Sequence, residues 1–268
     1  MKLLRRIGAT VLIVFFLTTG LCYGQSPAKQ SSIKGLEYAV EGKLEKAKEK
    51  FEEALKIDPS LESAKDGLKV IDDVNDKKME KKAANHFFKG VAYYLKGQWA
   101  KAIIEYNKAI EVNPRFALVY HDRGIIYRHK GLYDQAISNC TKAIELNPRY
   151  AEAYYNRGVA YLHKDFYDQA ISDCNKAIEI NSEYAEAYYN RGNTYFDKGQ
   201  YDKAISDYTK AIEINPRNAE AYNNRGVACY YKGEYDKAWD DVHKAQNLGY
   251  QVHPGFLKLL REASGRRE

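Results

Sequence analysis

Cysteine is scarce in this chain of 268 residues. Three of its 4 cysteines, Cys140, Cys174 and Cys229, follow residue 24. We expect residues 1–24 to be removed, for the reason given below, which leaves an odd number of thiols. An odd number argues against a disulfide framework, even in an oxidising compartment, so we expect buried, inert cysteines.

A strong excess of one charge is also lacking. The formal net charge is +6, and it falls to +3 without the N-terminal Lys2, Arg5 and Arg6. There is no basic tract or stripe of lysine and arginine of the kind that neutralises phosphates. We therefore do not expect nucleic acid as a partner.

Motifs for catalysis or cofactor binding are absent from the sequence. It contains no CxxCH, HExxH, GxSxG or glycine-rich phosphate loop. A metal site built from His121, His129 and His163 would need ring nitrogens within about 2 Å of one ion, whereas neighbouring helices lie about 8–10 Å apart. We predict surface histidines, no metal, no small-molecule cofactor and no enzymatic activity; an unrecognised enzyme is the weakest alternative.

Long hydrophobic runs are lacking beyond the N-terminus. There, Lys2, Arg5 and Arg6 precede a short apolar run from Ile7 to Leu21. A membrane-spanning helix usually needs about 20 apolar residues, so the segment resembles a secretory signal, cleaved after Gly24. Two alternatives remain: acylation of Cys22, or an uncleaved anchor formed by residues 7–21. We predict export to the periplasm or envelope of a bacterium, with possible membrane association through this segment.

Proline is scarce too, and its placement shows a period. Of the 6 prolines, Pro114, Pro148 and Pro216 lie at matching positions of a repeat. The octamer AEAYYNRG begins at Ala151 and begins again at Ala185, which is the same step as that from Pro114 to Pro148. A fixed period of about 34 residues is typical of a repeat protein.

Counting in steps of 34 from Ala83 aligns small residues and rings. Position eight is glycine, positions twenty and twenty-seven are alanine, and position seventeen is aromatic. The apolar positions have helical spacing, and a turn such as DKGQ, residues 197–200, separates two such segments. Each repeat is thus predicted to be a hairpin of two helices, and stacking buries the faces that one hairpin cannot.

With these residues the chain resembles the tetratricopeptide repeat (TPR) family, whose repeat has the same length. The segment AEAYYNRGNTYFDKGQYDKAISDYTKAIEINPRN, residues 185–218, carries the resemblance most fully, whereas Asp165 and Ser182 depart from the usual glycine and proline. The resemblance implies an all-α TPR solenoid, a right-handed superhelix with a concave groove. The predicted segments are a signal or anchor (1–24), a diverged repeat (28–61), a linker or helix (62–82), repeats (83–116, 117–150, 151–184, 185–218, 219–252) and a capping helix (253–268).

In the family, the outward face of the first helix lines the groove that binds peptides. The resemblance therefore implies a peptide-binding site here, in which asparagines at position six bond an extended peptide and nearby rings add apolar area. The candidate residues are Tyr155, Asn156, Tyr189, Asn190, Asn193, Phe196, Asn223 and Asn224. The alternative is that these asparagines bond only their neighbours.

Arginines recur at position seven, as Arg123, Arg157, Arg191 and Arg225. We expect internal ion pairs, because aspartate recurs at position eighteen (Asp134, Asp168, Asp202, Asp236) and glutamate at position two (Glu152, Glu186, Glu220). The basic residues that form the carboxylate clamp of chaperone adaptors in this family are missing at positions two and five. The sequence predicts a non-catalytic scaffold that binds a peptide or partner subunit in the cell envelope. The alternative is a membrane-tethered structural subunit of an envelope assembly.

Overall fold

The computed structural model describes residues 26–266, and this part of the chain contains fourteen α-helices and no strand. The signal, lipid site or anchor predicted in residues 1–24 lies outside the described residues. The helices are α1 (Pro27–Val40), α2 (Leu44–Ile57), α3 (Glu62–Asn75), α4 (Lys81–Leu95), α5 (Trp99–Val112), α6 (Ala117–His129), α7 (Tyr133–Leu146), α8 (Ala151–His163), α9 (Tyr167–Ile180), α10 (Ala185–Asp197), α11 (Tyr201–Ile214), α12 (Ala219–Tyr231), α13 (Tyr235–Asn247) and α14 (Pro254–Ser264).

The contacts divide the chain into two compact units, the first ending at Val119 and the second beginning at Tyr120. In the first unit, α1 pairs with α2 and α4 pairs with α5, and α3 packs against α1, α2 and α4. In the second unit, each helix from α7 to α14 packs against the next one along the chain. The first helices of neighbouring hairpins, α8, α10 and α12, also contact each other in sequence order.

Small residues let the two helices of each hairpin approach closely. Ala170 and Ala204, at position twenty, are completely buried. At position eight, a Cβ added to Gly192 would lie 2.8 Å from a ring carbon of Tyr208. No side chain fits at that distance, so glycine is required there by packing rather than by its backbone freedom.

The turn between the two helices uses a left-handed residue. Gly199 has φ 73° and Gly233 has φ 77°, a conformation that costs glycine nothing. Asp165 stands at the matching position with φ 61°, so here a residue with a side chain adopts the same backbone. The departure from glycine noted in the sequence therefore leaves the turn geometry intact.

Helix α3 occupies most of the 62–82 segment. Ala64 and Ile71 are completely buried. A Cβ added to Gly67 would lie 2.6 Å from the ring of Phe51, so α3 lies directly against α2. Lys77, with φ 58°, lies in the short connection to α4.

Helix α14 covers the end of the last hairpin. Pro254 occupies its first turn, where a missing N–H costs no hydrogen bond. Leu260 is completely buried in a cluster with Cys229, Trp239 and Val242. The indole Nε1 of Trp239 also donates to Ser264 Oγ at 3.0 Å, so the helix is fixed by both apolar and polar contacts.

Between residues 26 and 266, no helix is both long and apolar enough to cross a lipid bilayer.

Candidate functional site

The asparagines at position six form hydrogen bonds from one hairpin to the preceding one. Asn190 Nδ2 donates to the hydroxyl of Tyr155 at 3.1 Å and to the carbonyl of Glu186 at 2.9 Å. The first bond joins α10 to α8 and the second stays within α10. Both amide protons of Asn190 are therefore used inside the fold.

The bond to position five of the preceding hairpin recurs on both sides of Asn190. Asn156 Nδ2 lies 3.0 Å from His121 Nε2 and 2.9 Å from the carbonyl of Glu152. Asn224 Nδ2 donates to the hydroxyl of Tyr189 and to Asn193 Oδ1, both at 3.0 Å. A ring at position five thus accepts from an asparagine at position six of the next hairpin, through three consecutive interfaces.

These contacts define one continuous row of side chains, which we name the amide face. It consists of Tyr155, Asn156, Tyr189, Asn190, Asn193, Asn223 and Asn224 on α8, α10 and α12. Asn223 belongs to it because its Nδ2 donates to Asn224 Oδ1 at 3.1 Å. The structure therefore brings together seven of the eight candidate residues.

Two asparagines of the amide face, Asn156 and Asn190, have an unused acceptor but no unused donor. Within residues 26–266, no side chain or backbone N–H donates to Oδ1 of Asn156 or Asn190. Asn156 is 5% exposed, whereas Asn190 is only partly buried. These amides were predicted to offer a ligand both donors and acceptors. Only the acceptors, Oδ1 of Asn156 and Asn190, remain available to a ligand.

Two tyrosines give the face its apolar character. The ring centroids of Tyr155 and Tyr184 are 5.1 Å apart, and those of Tyr189 and Tyr208 are 5.9 Å apart. Burial raises the pKa of the Tyr155 and Tyr189 hydroxyls above the usual value of 10.0. Both hydroxyls therefore stay neutral and accept the asparagine N–H while keeping their own proton.

Phe196, the eighth candidate, lies among other rings. Its centroid is 5.3 Å from that of Tyr201 and 5.6 Å from that of Tyr231, and 44% of Tyr231 is exposed. These ring contacts assign Phe196 to an aromatic cluster of α10, α11 and α12 rather than to the row of amides.

Three of the four arginines at position seven form internal ion pairs, but not with the predicted partners. Arg191 donates from Nε to Asp207 Oδ2 at 2.8 Å and from an Nη atom to Oδ1 at 2.7 Å, a bidentate pair within one hairpin. Arg157 pairs in the same way with Asp173, at position twenty-three.

The aspartates expected as partners are used elsewhere. Asp168 at position eighteen pairs with Lys198 of the next hairpin at 2.5 Å, and Asp134 pairs likewise with Lys164. Position seven faces the second helix of its own hairpin, whereas position eighteen lies at the exposed start of that helix. The two sets of charges therefore never meet.

The first of these arginines has a neutral partner. Arg123 Nε donates to Asn139 Oδ1 at 2.8 Å, with asparagine where the later hairpins have aspartate. Burial holds the pKa of Arg123 below its usual value of 12.5. Its positive charge is thus partly desolvated beside an uncharged amide.

One histidine departs from the prediction of surface histidines. His121 is 7% exposed, because it packs against Tyr150 and bonds Asn156. His129 and His163 are exposed. Among the described residues, no group of three or more His, Cys, Asp or Glu side chains is placed to hold a metal ion.

The three cysteines of the described chain are free and buried. Burial raises the pKa of the Cys140 and Cys174 thiols to about 12 and that of Cys229 to about 11. Thiols with such values are poor nucleophiles near neutral pH. They serve as small core residues: Cys140 Sγ lies 3.0 Å from where a Cβ on Gly124 would be.

Sequence reasoning missed two residues on α6, the first helix of the hairpin that precedes the amide face. His121 accepts the first asparagine bond, and Arg128 on α6 has a buried Nε with no hydrogen-bond partner. The signal for His121 was present in the sequence. A polar ring at position five of one hairpin is followed by asparagine at position six of the next, at three successive interfaces.

Comparison with protein families assigns the repeats. Models described as tetratricopeptide repeat match residues 33–61, 151–184, 185–218 and 207–240, and a model described as TPR repeat matches residues 90–131 and 124–165. The chain belongs to the tetratricopeptide repeat family. The predicted all-α TPR fold is thereby confirmed.

Solved structures share this TPR fold. A crystal structure of MamA is 35% identical with a TM-score of 0.56, and the match covers 60% of this chain and 94% of that chain. A structure of pilF from Pseudomonas aeruginosa is 20% identical with a TM-score of 0.60, covering 89% and 97%. YrrB, described as a TPR protein with an unusual peptide-binding site, is 22% identical with a TM-score of 0.55, covering 74% and 98%. The last two show the fold alone, and a comparison with curated proteins found no match.

Proposed function

We propose that this TPR protein is a non-catalytic interaction scaffold that binds an extended peptide, or an extended segment of a partner subunit, along the amide face. The observation that carries the proposal is the pair of unused acceptors, Oδ1 of Asn156 and Asn190, one on each of two contacting helices. An extended peptide offers backbone N–H groups that need such acceptors.

The spacing of the hairpins suits an extended ligand. Packed helices lie about 8–10 Å apart, and an extended chain rises about 3.3 Å per residue. One asparagine per hairpin would therefore accept a hydrogen bond from about every third residue of the ligand. Tyr155 and Tyr189 would contribute apolar area with little loss of side-chain entropy.

The test begins with selection of peptides from a random display library on the purified chain, followed by anisotropy measurements with a synthetic labelled peptide. Asn190→Ala removes the acceptor and also the bond to Tyr155. Tyr155→Phe is the matched control, since it removes the same inter-hairpin bond and keeps both the acceptor and the ring. We expect Asn190→Ala to weaken binding at least about tenfold, and Tyr155→Phe to stay within about twofold.

Two results would contradict the proposal. One is a library that yields no peptide with saturable binding. The other is equal affinity for the unaltered chain and Asn190→Ala, with melting curves showing that the variant folds. Equal losses in both variants would assign the asparagine row to stability alone.

We further propose that the protein is exported in a bacterium and acts in the periplasm or envelope. The proposal is supported by the basic, apolar and small-residue order of residues 1–24. The intact mass of the protein from fractionated bacteria tests it. Loss of the segment 1–24 in a soluble fraction supports export, whereas an acyl group on Cys22 or a retained 7–21 segment in membranes supports the tethered subunit. The full-length chain in the cytosol would contradict export.

A further inference from the structure

A row of glutamates lies beside the amide face. Glu152, Glu186 and Glu220 stand at position two of α8, α10 and α12, one helical turn before the asparagines at position six. Residues four apart share one side of a helix. The amides of Asn156 and Asn190 lie over this turn, where each donates to the carbonyl of the glutamate at 2.9 Å. These three glutamates, which we name the glutamate row, therefore border the asparagine acceptors.

One carboxylate of the row contacts the amide face directly. The hydroxyl of Tyr189 donates to Glu220 Oε2 at 3.3 Å and accepts from Asn224 Nδ2 at 3.0 Å. The row does not continue onto α6, because position two of that helix is Leu118, which is 8% exposed. The glutamate row and the amide face thus occupy the same three helices.

The carboxylates of the glutamate row have no cation as a partner. Within residues 26–266, no ion pair includes any of the three, and Glu186 and Glu220 are exposed. The glutamates at position twenty-nine behave differently, since each forms an ion pair with a lysine three residues earlier. These are Glu145, Glu179 and Glu213. The absence of partners is therefore a property of the row and not of exposed glutamates in general.

The nearby arginines do not neutralise the row. The one arginine in each of α8, α10 and α12 is held by an aspartate of its own hairpin. Arg149 and Arg217 lie three residues before Glu152 and Glu220, and in the part of the chain that the structure describes they form no ion pair with them. Negative charge therefore remains along this side of the three hairpins.

A buried acceptor lies beside these charges. Asn156 is 5% exposed, and its Oδ1 accepts no hydrogen bond from residues 26–266. A buried polar atom without a partner costs free energy. An ionised carboxylate accepts hydrogen bonds and donates none. The glutamate row and the oxygens of Asn156 and Asn190 thus favour a ligand that supplies N–H groups and positive charge.

We propose that the amide face and the glutamate row bind a basic segment of a partner protein, with lysine or arginine at every third residue in a polyproline II conformation. This inference rests on the proposed function and names the class of peptide. The helices α8, α10 and α12 contact one another in sequence order, and packed helices lie about 8–10 Å apart.

The polyproline II conformation matches this distance. It has about three residues per turn and rises about 3.1 Å per residue, so every third side chain lies on the same side, about 9 Å further along. A β-strand places every second side chain on one side, at about 6.6 Å, which does not match. Polyproline II also has no internal hydrogen bonds, so its backbone N–H groups are free for the asparagine oxygens.

The first test compares four acetylated heptapeptide amides that carry a neutral fluorophore, by anisotropy with the purified chain. The regular probe is Lys-Ala-Pro-Lys-Ala-Pro-Lys. The irregular probe, Lys-Lys-Ala-Pro-Ala-Pro-Lys, has the same composition and charge but a different spacing of the lysines. The other two probes are the regular probe with every lysine replaced by glutamine or by glutamate.

We expect saturable binding of the regular probe. The irregular probe should bind at least about threefold more weakly and the glutamine probe at least about tenfold more weakly, and the glutamate probe should not bind. Equal affinity of the regular and irregular probes would overturn the proposed spacing. A glutamine or glutamate probe that binds as tightly as the regular probe would overturn the requirement for positive charge.

The second test changes the protein. Glu186→Gln removes the middle charge of the row and should weaken the regular probe about threefold to fivefold, with an unchanged melting temperature because Glu186 has no ion-pair partner in the described fold. Glu213→Gln is the matched control, since it changes the net charge equally on the exposed side of α11. Equal weakening by both variants would show a general effect of charge and contradict the inference.

A charge exchange tests the position of the ligand. Glu186→Lys should abolish binding of the regular probe and should favour the probe Lys-Ala-Pro-Glu-Ala-Pro-Lys, in which the middle lysine is replaced by glutamate. A Glu186→Lys variant that still prefers the regular probe would contradict the pairing of this residue with the middle lysine.

The two proposals fail in different ways. If the regular and glutamine probes bind equally and Asn190→Ala weakens both, this inference fails and the proposed function stands. If the regular probe responds to Glu186→Gln but not to Asn190→Ala, the glutamate row stands and the proposed contact with the asparagine oxygens fails. If neither a probe nor a library peptide binds, both proposals fail.

Discussion

A single arginine side chain connects several parts of each hairpin. Arg225 forms a bidentate pair with Asp241, donates from its remaining Nη to Thr209 Oγ1 of the preceding hairpin at 3.0 Å, and lies 5.6 Å from the ring centroid of Tyr222. Each of the three guanidinium nitrogens thus donates a hydrogen bond within the fold, and such bonds are what allow a partly buried charge to stabilise a fold. Because these pairs share one geometry, a hairpin that lacks the pair can be compared directly with the hairpins that have it.

Asn139 lies in such a hairpin, and Asn139→Asp should stabilise the chain. The carboxylate would pair with Arg123, whose positive charge now faces a neutral amide. Asn139 Nδ2 also donates to the carbonyl of Gln135 at 2.8 Å, and this bond is lost. Because Asp173, Asp207 and Asp241 occupy the same place elsewhere, we expect a net gain of about 1 kcal/mol in the free energy of unfolding, measured with urea.

The reverse change at a matched site is the control. Asp173→Asn leaves Arg157 with a neutral partner and should cost about 1–3 kcal/mol by the same measurement. If both variants destabilise the chain, the backbone contact of Asn139 outweighs the charge of Arg123, and the argument from pairing is wrong.

At the scale of helices and turns, the prediction of paired helices rested mostly on small residues. Glycine at position eight and alanine at position twenty indicated close helix pairs, and Gly192 lies against Tyr208 as that spacing requires. The partners of the arginines escaped prediction for a physical reason. Position eighteen is uniformly acidic from Asp134 onward, whereas position twenty-three includes Asn139. The regular recurrence of aspartate therefore led to position eighteen being predicted as the partner of the arginines, which is wrong. Only the rotation of the helices decides which of the two faces the arginine.

The candidate site was predictable in part for the same reason. Helical spacing placed the asparagines on one side of their helices, and Asn190 and Asn224 do lie in one row. The spacing gave no information on the other ends of their hydrogen bonds. Those depend on the distance between hairpins, which puts the hydroxyl of Tyr155 within reach of Asn190.

The turn at Asp165 gives a prediction at this scale. Its φ of 61° is the left-handed conformation, in which a Cβ meets the backbone. Asp165→Gly and Asp165→Ala both lose the bond that the carboxylate accepts from the Tyr167 hydroxyl at 3.0 Å, but only glycine removes the clash. We expect the glycine variant to be more stable than the alanine variant by about 1 kcal/mol.

Thermal unfolding of the two variants measures this difference. Gly199→Ala, at the matching turn of the next hairpin, is the control and should be destabilising by a similar amount, since its φ is 73° and nothing lies within 4 Å of the added Cβ. An alanine variant of Asp165 at least as stable as the glycine variant would show that the turn has another conformation.

At the scale of the whole molecule, stability follows from contacts between neighbours. Each helix from α7 to α14 packs against the next. Within residues 120–266, extensive contacts join a helix only to its first or second neighbour along the chain. In such an arrangement, local unfolding spreads from an uncovered end. Helix α14 covers the end of α12 and α13, so its packing should control how often the last hairpin opens.

The rate at which a thiol reagent labels the buried cysteines measures this opening. Burial holds the pKa of Cys174 at about 12 and of Cys229 at about 11, against 9.0 for a free thiol. A raised thiol pKa favours the protonated form in the fold. Its contribution to stability is therefore present below pH 9 and is lost as the pH rises toward these values. At pH 8 the folded thiols are unreactive, and labelling by a disulfide reagent measures local opening.

Leu260→Ala should raise the labelling rate of Cys229 far more than that of Cys174. Leu260 is completely buried in the cluster that contains Cys229, and its truncation should cost about 2–5 kcal/mol, which corresponds to at least about tenfold more frequent opening of the last hairpin. Leu259→Ala is the matched control, because Leu259 is 49% exposed on the same helix and should leave both rates unchanged. Mass spectrometry of labelled peptides gives each rate separately. Equal acceleration at both cysteines would mean that residues 120–266 open as one cooperative block, so that the cap stabilises the whole unit rather than its end.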